Sequence, residues 1–181
     1  WAAFLIELQK AGLVRPLADA WEQNNWHDSI GDNWKNFMSI DGVPYGLTYT
    51  FGDRSGIFFR RDTLAKAGIA EPPKTWDEFV ASFDKLNAVG VTPIAVPGKV
   101  WAHAEWFETI YVRMFGVDMA KKLGAHQIAW TDPSVKAALK QFAKIIQMRC
   151  CGDAATMLAS DWDNATDSVL KAGTAGYEMI G

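Results

Sequence analysis

The sequence contains no run approaching the ~20 consecutive apolar residues that a bilayer-spanning helix needs, so membrane insertion is not expected. It has no excess of positive charge either. Lys and Arg number 18 against 21 Asp and Glu, a net charge of −3, which lacks the basic footprint of a nucleic-acid or anionic-membrane partner. Histidine is scarce: His27, His103 and His126 lie far apart, and no Cys or His spacing resembles a zinc site. No metal and no cofactor are expected. There is no Gly-rich phosphate loop after a strand, no Gly-x-Ser-x-Gly elbow and no His-Glu-x-x-His pair. These absences weigh against an enzyme without excluding one, because active sites assemble from distant residues.

The two cysteines, Cys150 and Cys151, are adjacent. Bridged Cα atoms usually lie further apart than one peptide step of ~3.8 Å, so two unbridged thiols are expected. No initiator Met, basic leader or small-residue cleavage site precedes Trp1-Ala2-Ala3-Phe4-Leu5, and residue 1 reads as a cut end, as does Gly181.

What is present is the composition of a soluble globular protein, 49% hydrophobic and 22% charged over 181 residues. That length supports one good core with room for a short second lobe. Phe4, Leu5 and Leu8 share a helical face that stops at Gly12, and a polar, Trp-bearing stretch follows to about Trp34. Asp41-Gly42 predicts a tight hairpin turn, with strand-like runs at 44–50 and 56–59 separated by Phe51-Gly52-Asp53-Arg54-Ser55. A short helix at 63–67 ends at Gly68. Thr75-Trp76-Asp77-Glu78 is a capping box opening a helix whose face is Phe79, Phe83 and Leu86. Residues 92–96 read as a buried strand, and Pro97-Gly98-Lys99 as the loop leaving it. A helix from about His103 carries Trp106, Phe107, Ile110, Tyr111 and Met114 and ends before Gly116.

Asp132-Pro133 caps the next helix, with Val135, Leu139, Phe142, Ile145, Ile146 and Met148 at helical spacing. A loop holding both cysteines leads to Ser160-Asp161-Trp162-Asp163. A last helix at 164–171 and a strand at 175–180 complete an alternating, α/β pattern.

Tryptophan is abundant, at nine residues. Sugars pack their flat C–H faces on aromatic rings and take hydrogen bonds from Asp, Asn, Arg or Lys, so a loop Trp beside such groups is a sugar-site candidate. Trp76 and Trp106 are expected in the core, and Trp130 is expected to serve packing. Trp101 lies beside Lys99 just past a strand end, where open α/β sheets place ligands, and Trp162 stands between Asp161 and Asp163. Asp53 and Arg54 form either a solvated turn or a ligand contact at a crossover.

The order of motifs resembles a known family. Asp41-Gly42-Val43-Pro44-Tyr45-Gly46-Leu47, Gly56-Ile57-Phe58-Phe59-Arg60-Arg61-Asp62, Ala67-Gly68-Ile69 and Pro72-Pro73-Lys74-Thr75-Trp76-Asp77-Glu78-Phe79 follow one another as in the family 1 extracellular solute-binding proteins of ABC sugar importers. Gly90-Val91-Thr92-Pro93-Ile94-Ala95, Trp130-Thr131-Asp132-Pro133 and Lys171-Ala172-Gly173-Thr174-Ala175-Gly176-Tyr177-Glu178 continue it. Phe59-Arg60 departs from the usual Tyr-Asn.

The resemblance implies a periplasmic-binding-protein-like fold of two α/β lobes with a sugar clamped between them. Residues 1–52 would be a partial first lobe and crossover strand, 53–173 the second lobe, and 174–181 a strand returning toward the first. Asp53, Arg54, Lys99, Trp101, Asp161 and Trp162 would contact the ligand. The partners implied are a carbohydrate and an ABC transporter permease, in the periplasm or outside the cell, with a lipid anchor in a Gram-positive source. A carbohydrate-active enzyme using Asp53, Glu105 or Asp161 as acid and base, or a sugar-sensing receptor domain, fits the same residues.

Overall fold

The computed structural model describes residues 2–50, 52 and 55–180. The chain divides into two compact units, Trp1–Gly52 and Asp53–Gly181.

In the first unit, α1 (Ala2–Lys10), α2 (Ala18–Gln23), α3 (Trp26–Ile30) and α4 (Asp32–Phe37) precede a hairpin of β1 (Ser39–Ile40) and β2 (Val43–Pro44). The hairpin turn is the expected one: Asp41 and Gly42 both take positive φ, +51° and +78°, which a two-residue turn of this twist demands. The strand-like run at 44–50 stops after Pro44, and 45–50 is irregular. The polar stretch holds three short helices that sequence reasoning left unassigned. None has a side-chain N-cap bond, so the usual start signal is absent.

Those helices gather around Trp21, which is fully buried and meets Trp26 edge-on at 5.7 Å between ring centroids. His27 lies between two carboxylates, with Nε2 3.0 Å from Glu22 Oε1 and Nδ1 3.0 Å from Asp32 Oδ1. Lys35 reaches the same cluster, its Nζ 3.7 Å from Glu22 and 5.6 Å from the Trp21 ring centroid. The hydrogen bond to Glu22, then that to Asp32, raises the His27 pKa above its ordinary 6.5. An imidazole with a raised folded pKa stabilises below the unfolded value and loses that contribution as pH rises through the folded one. The His27 ring resonances should therefore titrate above 6.5 by NMR, and Glu22→Gln should move the midpoint down. A midpoint indifferent to Glu22→Gln would dismiss the bridge.

In the second unit, β3 (Ile57–Phe59), β4 (Thr92–Ala95) and β5 (Ala175–Met179) form one sheet in the order β3-β5-β4. The central β5 runs antiparallel to β3, pairing Met179 with Ile57, and parallel to β4, pairing Ala175 with Thr92. Every β5 residue is buried, as a strand covered on both faces must be.

One face is covered by α6 (Trp76–Ala88), α7 (His103–Gly124) and α8 (Pro133–Gln147), whose Phe83, Leu86, Trp106 and Ile145 pack with Ile94 and Tyr177. α6 starts at the expected capping box, with Glu78 N donating to Thr75 Oγ1 and Thr75 N to Glu78 Oε2. Against the other face lies α10 (Trp162–Leu170), where Ala165 and Val169 meet Ala95 and Ala175. α5 (Arg61–Lys66) follows β3. The unusual Arg60 ties α5 to the end of α10: its guanidinium bonds Asp62 and donates to the Lys171 and Leu170 carbonyls at 2.9 and 3.3 Å.

Several expectations need correction. The helical run from His103 does break at Gly116, as expected, where φ is +84° and ψ 168°; a second helical segment not expected from the sequence carries on to Gly124. Met114, Leu139 and Ile146 are exposed, because each lies at the margin of a stripe whose centre (Trp106, Ile110, Val135, Ile145) is buried. Trp130 packs on Phe107, ring centroids 6.0 Å apart, while its outer side stays exposed.

The cysteines are bridged to each other, not free. The Cα atoms are 3.7 Å apart, closer than the usual separation of bridged cysteines, as neighbours in sequence must be. They sit in a turn where Arg149 and Gly152 both take positive φ, and Ile94 N donates to Cys150 O at 2.7 Å, fastening that turn to β4.

Candidate functional site

The carboxyl ends of the parallel strands β4 and β5 lie at one edge of the sheet, and loop 97–101 leaves β4 there. A helix that sequence reasoning missed, α9 (Ala154–Ala159), runs alongside it. Gly98 N donates to Met157 O at 3.1 Å and Lys99 N to Ser160 O at 3.0 Å, so the loop and the α9 end are joined backbone to backbone. Only glycine fits: a Cβ at Gly98 would stand 2.8 Å from Met157 O and 3.3 Å from Leu158 Cα. α9 is capped by Asp153, whose carboxylate accepts from Thr156 N at 2.9 Å and from its hydroxyl at 3.0 Å. These bonds hold the Asp153 pKa below its usual value. The Asp-x-x-Thr spacing was the available signal for this helix.

From α9 the chain turns at Ser160 into Asp161, the N-cap of α10, whose carboxylate accepts from Asn164 N at 3.2 Å. That cap sets the direction of the first helical residue, Trp162. The joined segments place Trp101 and Trp162 edge to face, ring centroids 4.8 Å apart. Trp101 is 45% exposed and Trp162 half-buried, while Lys99 is exposed on the same loop.

Four of the six residues singled out from sequence, Lys99, Trp101, Asp161 and Trp162, thus fall on two adjoining segments. Asp53 and Arg54 lie outside the described residues. Glu105 is buried in α7.

On the α10 side of the sheet sits a fully buried carboxylate, Glu178. Its Oε1 accepts from Thr166 Oγ1 at 3.1 Å, while Oε2 has no hydrogen-bond partner among the described residues. Burial raises its pKa above the ordinary carboxylate value, with the Thr166 bond opposing.

Chemically, the arrangement offers an aromatic surface of two rings, one of them well exposed, bordered by an ammonium group. It suits a ligand with flat C–H faces and hydroxyls rather than a charged metal complex. Among the described residues no cluster of His, Cys, Asp and Glu could hold a metal ion, and no helix is long and apolar enough to cross a membrane.

Residues 1–180 match the family model described as bacterial extracellular solute-binding protein. An ABC transporter extracellular-binding protein of Pyrococcus horikoshii is 26% identical, the match covering 99% of this chain and 41% of the relative. A probable sugar-binding periplasmic protein of Brucella suis is 29% identical over 95% of this chain and 40% of its own length. The chain spans about two fifths of the length of these curated relatives. Among solved structures, a chitin oligosaccharide binding protein superimposes with a TM-score of 0.75 at 24% identity, covering 96% of this chain and 42% of that one. The bacterial solute receptor AcbH, whose structure is described with an exclusive preference for β-D-galactopyranose, gives 0.67 at 25% identity, covering 98% and 44%.

Proposed function

This chain belongs to the bacterial extracellular solute-binding protein family, and we propose that it forms part of a receptor that captures a sugar without changing it and hands it to an ABC transporter permease. The unit Trp1–Gly52 corresponds in this reading to part of one lobe and Asp53–Gly181 to most of the other. The receptor works in the periplasm or outside the cell, held by a lipid anchor in a Gram-positive source. The observation carrying the proposal is the Trp101–Trp162 pair at 4.8 Å, mounted where the parallel strands end. The sugar-binding name of the Brucella relative and the sugar preference of AcbH support it.

The sugar ring stacks on the aromatic pair, and Lys99, with Asp53 and Arg54 at the start of the unit, bonds its hydroxyls. Closure of two lobes is then a population shift, since the ligand touches both only in the closed form. An enzymatic reading is disfavoured because the Asp161 carboxylate already caps α10. Tryptophan fluorescence during titration with mono- and oligosaccharides tests the proposal. A saturable change is expected, with Trp101→Ala weakening binding on the order of tenfold or more, as truncating a Trp anchor does. Equal affinity in Trp101→Ala and the parent chain would move the site elsewhere.

A further inference from the structure

Loop 97–101 and the end of α9 also border a second feature, a cavity of about 170 Å³ between β4, α7, α8 and α9. Its floor is Val96, Trp106 and Ile145, all buried, and its rim carries the exposed Ile146 and Leu158. His103 is the one polar side chain among its lining residues. Through Gly98 and the Met157–Leu158 backbone it adjoins the segments that hold Trp101 and Trp162.

We propose that this cavity receives an apolar substituent of the ligand, an aryl group carried by the sugar that stacks on the aromatic pair. The assignment rests on the sugar-receptor reading given above. Size and lining both point to such a group. An apolar cavity of roughly 150 Å³ stays dry and takes up benzene in another protein, so a space this large accommodates one aromatic ring. A pyranose is excluded, because most of its hydroxyls would be buried against hydrocarbon without a partner. The cavity therefore separates aryl glycosides from other sugars, while the Trp pair serves both.

Two measurements on the 181-residue chain test this. The first follows the Met157 methyl group by 13C NMR while toluene is added. A saturable shift is expected, and Leu158→Arg, which places a charge at the exposed rim, should abolish it. A Met157 methyl that ignores toluene overturns the proposal whatever sugars do. The second compares phenyl glycosides with methyl glycosides of the same sugars by tryptophan fluorescence. Burial of the ring should tighten binding about tenfold or more, and Leu158→Arg should erase that gain while leaving the methyl glycosides unchanged. Phenyl and methyl glycosides of equal affinity overturn the substituent assignment and leave the sugar reading intact. Toluene binding with no response to any sugar or glycoside overturns the sugar reading and the substituent assignment with it.

Discussion

Gly98→Ala should lower the thermal midpoint by several degrees and remove the paired-tryptophan signal from the near-ultraviolet circular dichroism spectrum. The added Cβ would meet only backbone, at 2.8 Å from Met157 O, 3.2 Å from Met157 C and 3.3 Å from Leu158 Cα. A flexible side chain can rotate out of the way of such a contact, but backbone must translate. Translation stretches the Gly98–Met157 and Lys99–Ser160 hydrogen bonds together. Overpacking of this kind costs about 1–3 kcal/mol. The two rings, 4.8 Å apart, are close enough to couple electronically, and their coupling falls steeply once the segments separate. A Gly98→Ala variant with unchanged midpoint and spectrum would mean that the two segments are not held by this contact.

Glu178→Gln should stabilise the chain at pH 8 by about 1–2 kcal/mol, the scale of relieving a buried charged group that is only partly hydrogen-bonded. The carboxyl is fully buried, with a folded pKa above its ordinary 4.5. For a carboxyl shifted upward, the unfolded chain gives up its proton first. The stability associated with the protonated form is thus complete below the unfolded value and declines as pH climbs through the folded one. The amide has no such dependence, so the advantage of the variant should vanish near pH 4. Chemical denaturation at pH 4 and pH 8 measures both ends. A variant no more stable than the parent at pH 8 would show that Glu178 is better compensated than its single bond to Thr166 suggests.

Much of the fold was readable from local signals because those signals act locally. The Thr75–Glu78 capping box, the Asp132-Pro133 start and the Asp41-Gly42 turn each depend on residues within one turn of the chain, and each appears as expected. The helices missed at 18–37 lack side-chain caps and are held by a buried tryptophan, which no window of sequence reveals. The cysteine bridge is not legible from sequence, because the usual Cα separation argues against neighbours and the turn shaped by Arg149 and Gly152 at positive φ has no local signature. At the site, Trp101 and Trp162 stood out by their chemistry. Their meeting did not, since it depends on α9 lying against loop 97–101. Gly98 passed as ordinary loop glycine, because only a neighbour from the far side of α8 makes its missing side chain matter.

The position of β5 between β3 and β4 has a kinetic consequence. Neither outer strand pairs with the other, so no ladder of this sheet can form until the residues from Ala175 to Met179 have left the ribosome or been drawn in from solvent. Every pairing then closes a loop of most of the unit's length, which is slow compared with helix formation. Until that moment the apolar stripes of α6, α8 and α10 have no sheet to cover. Nascent chains of this unit therefore spend an extended interval open to chaperones and proteases, and the insertion of a single strand ends it.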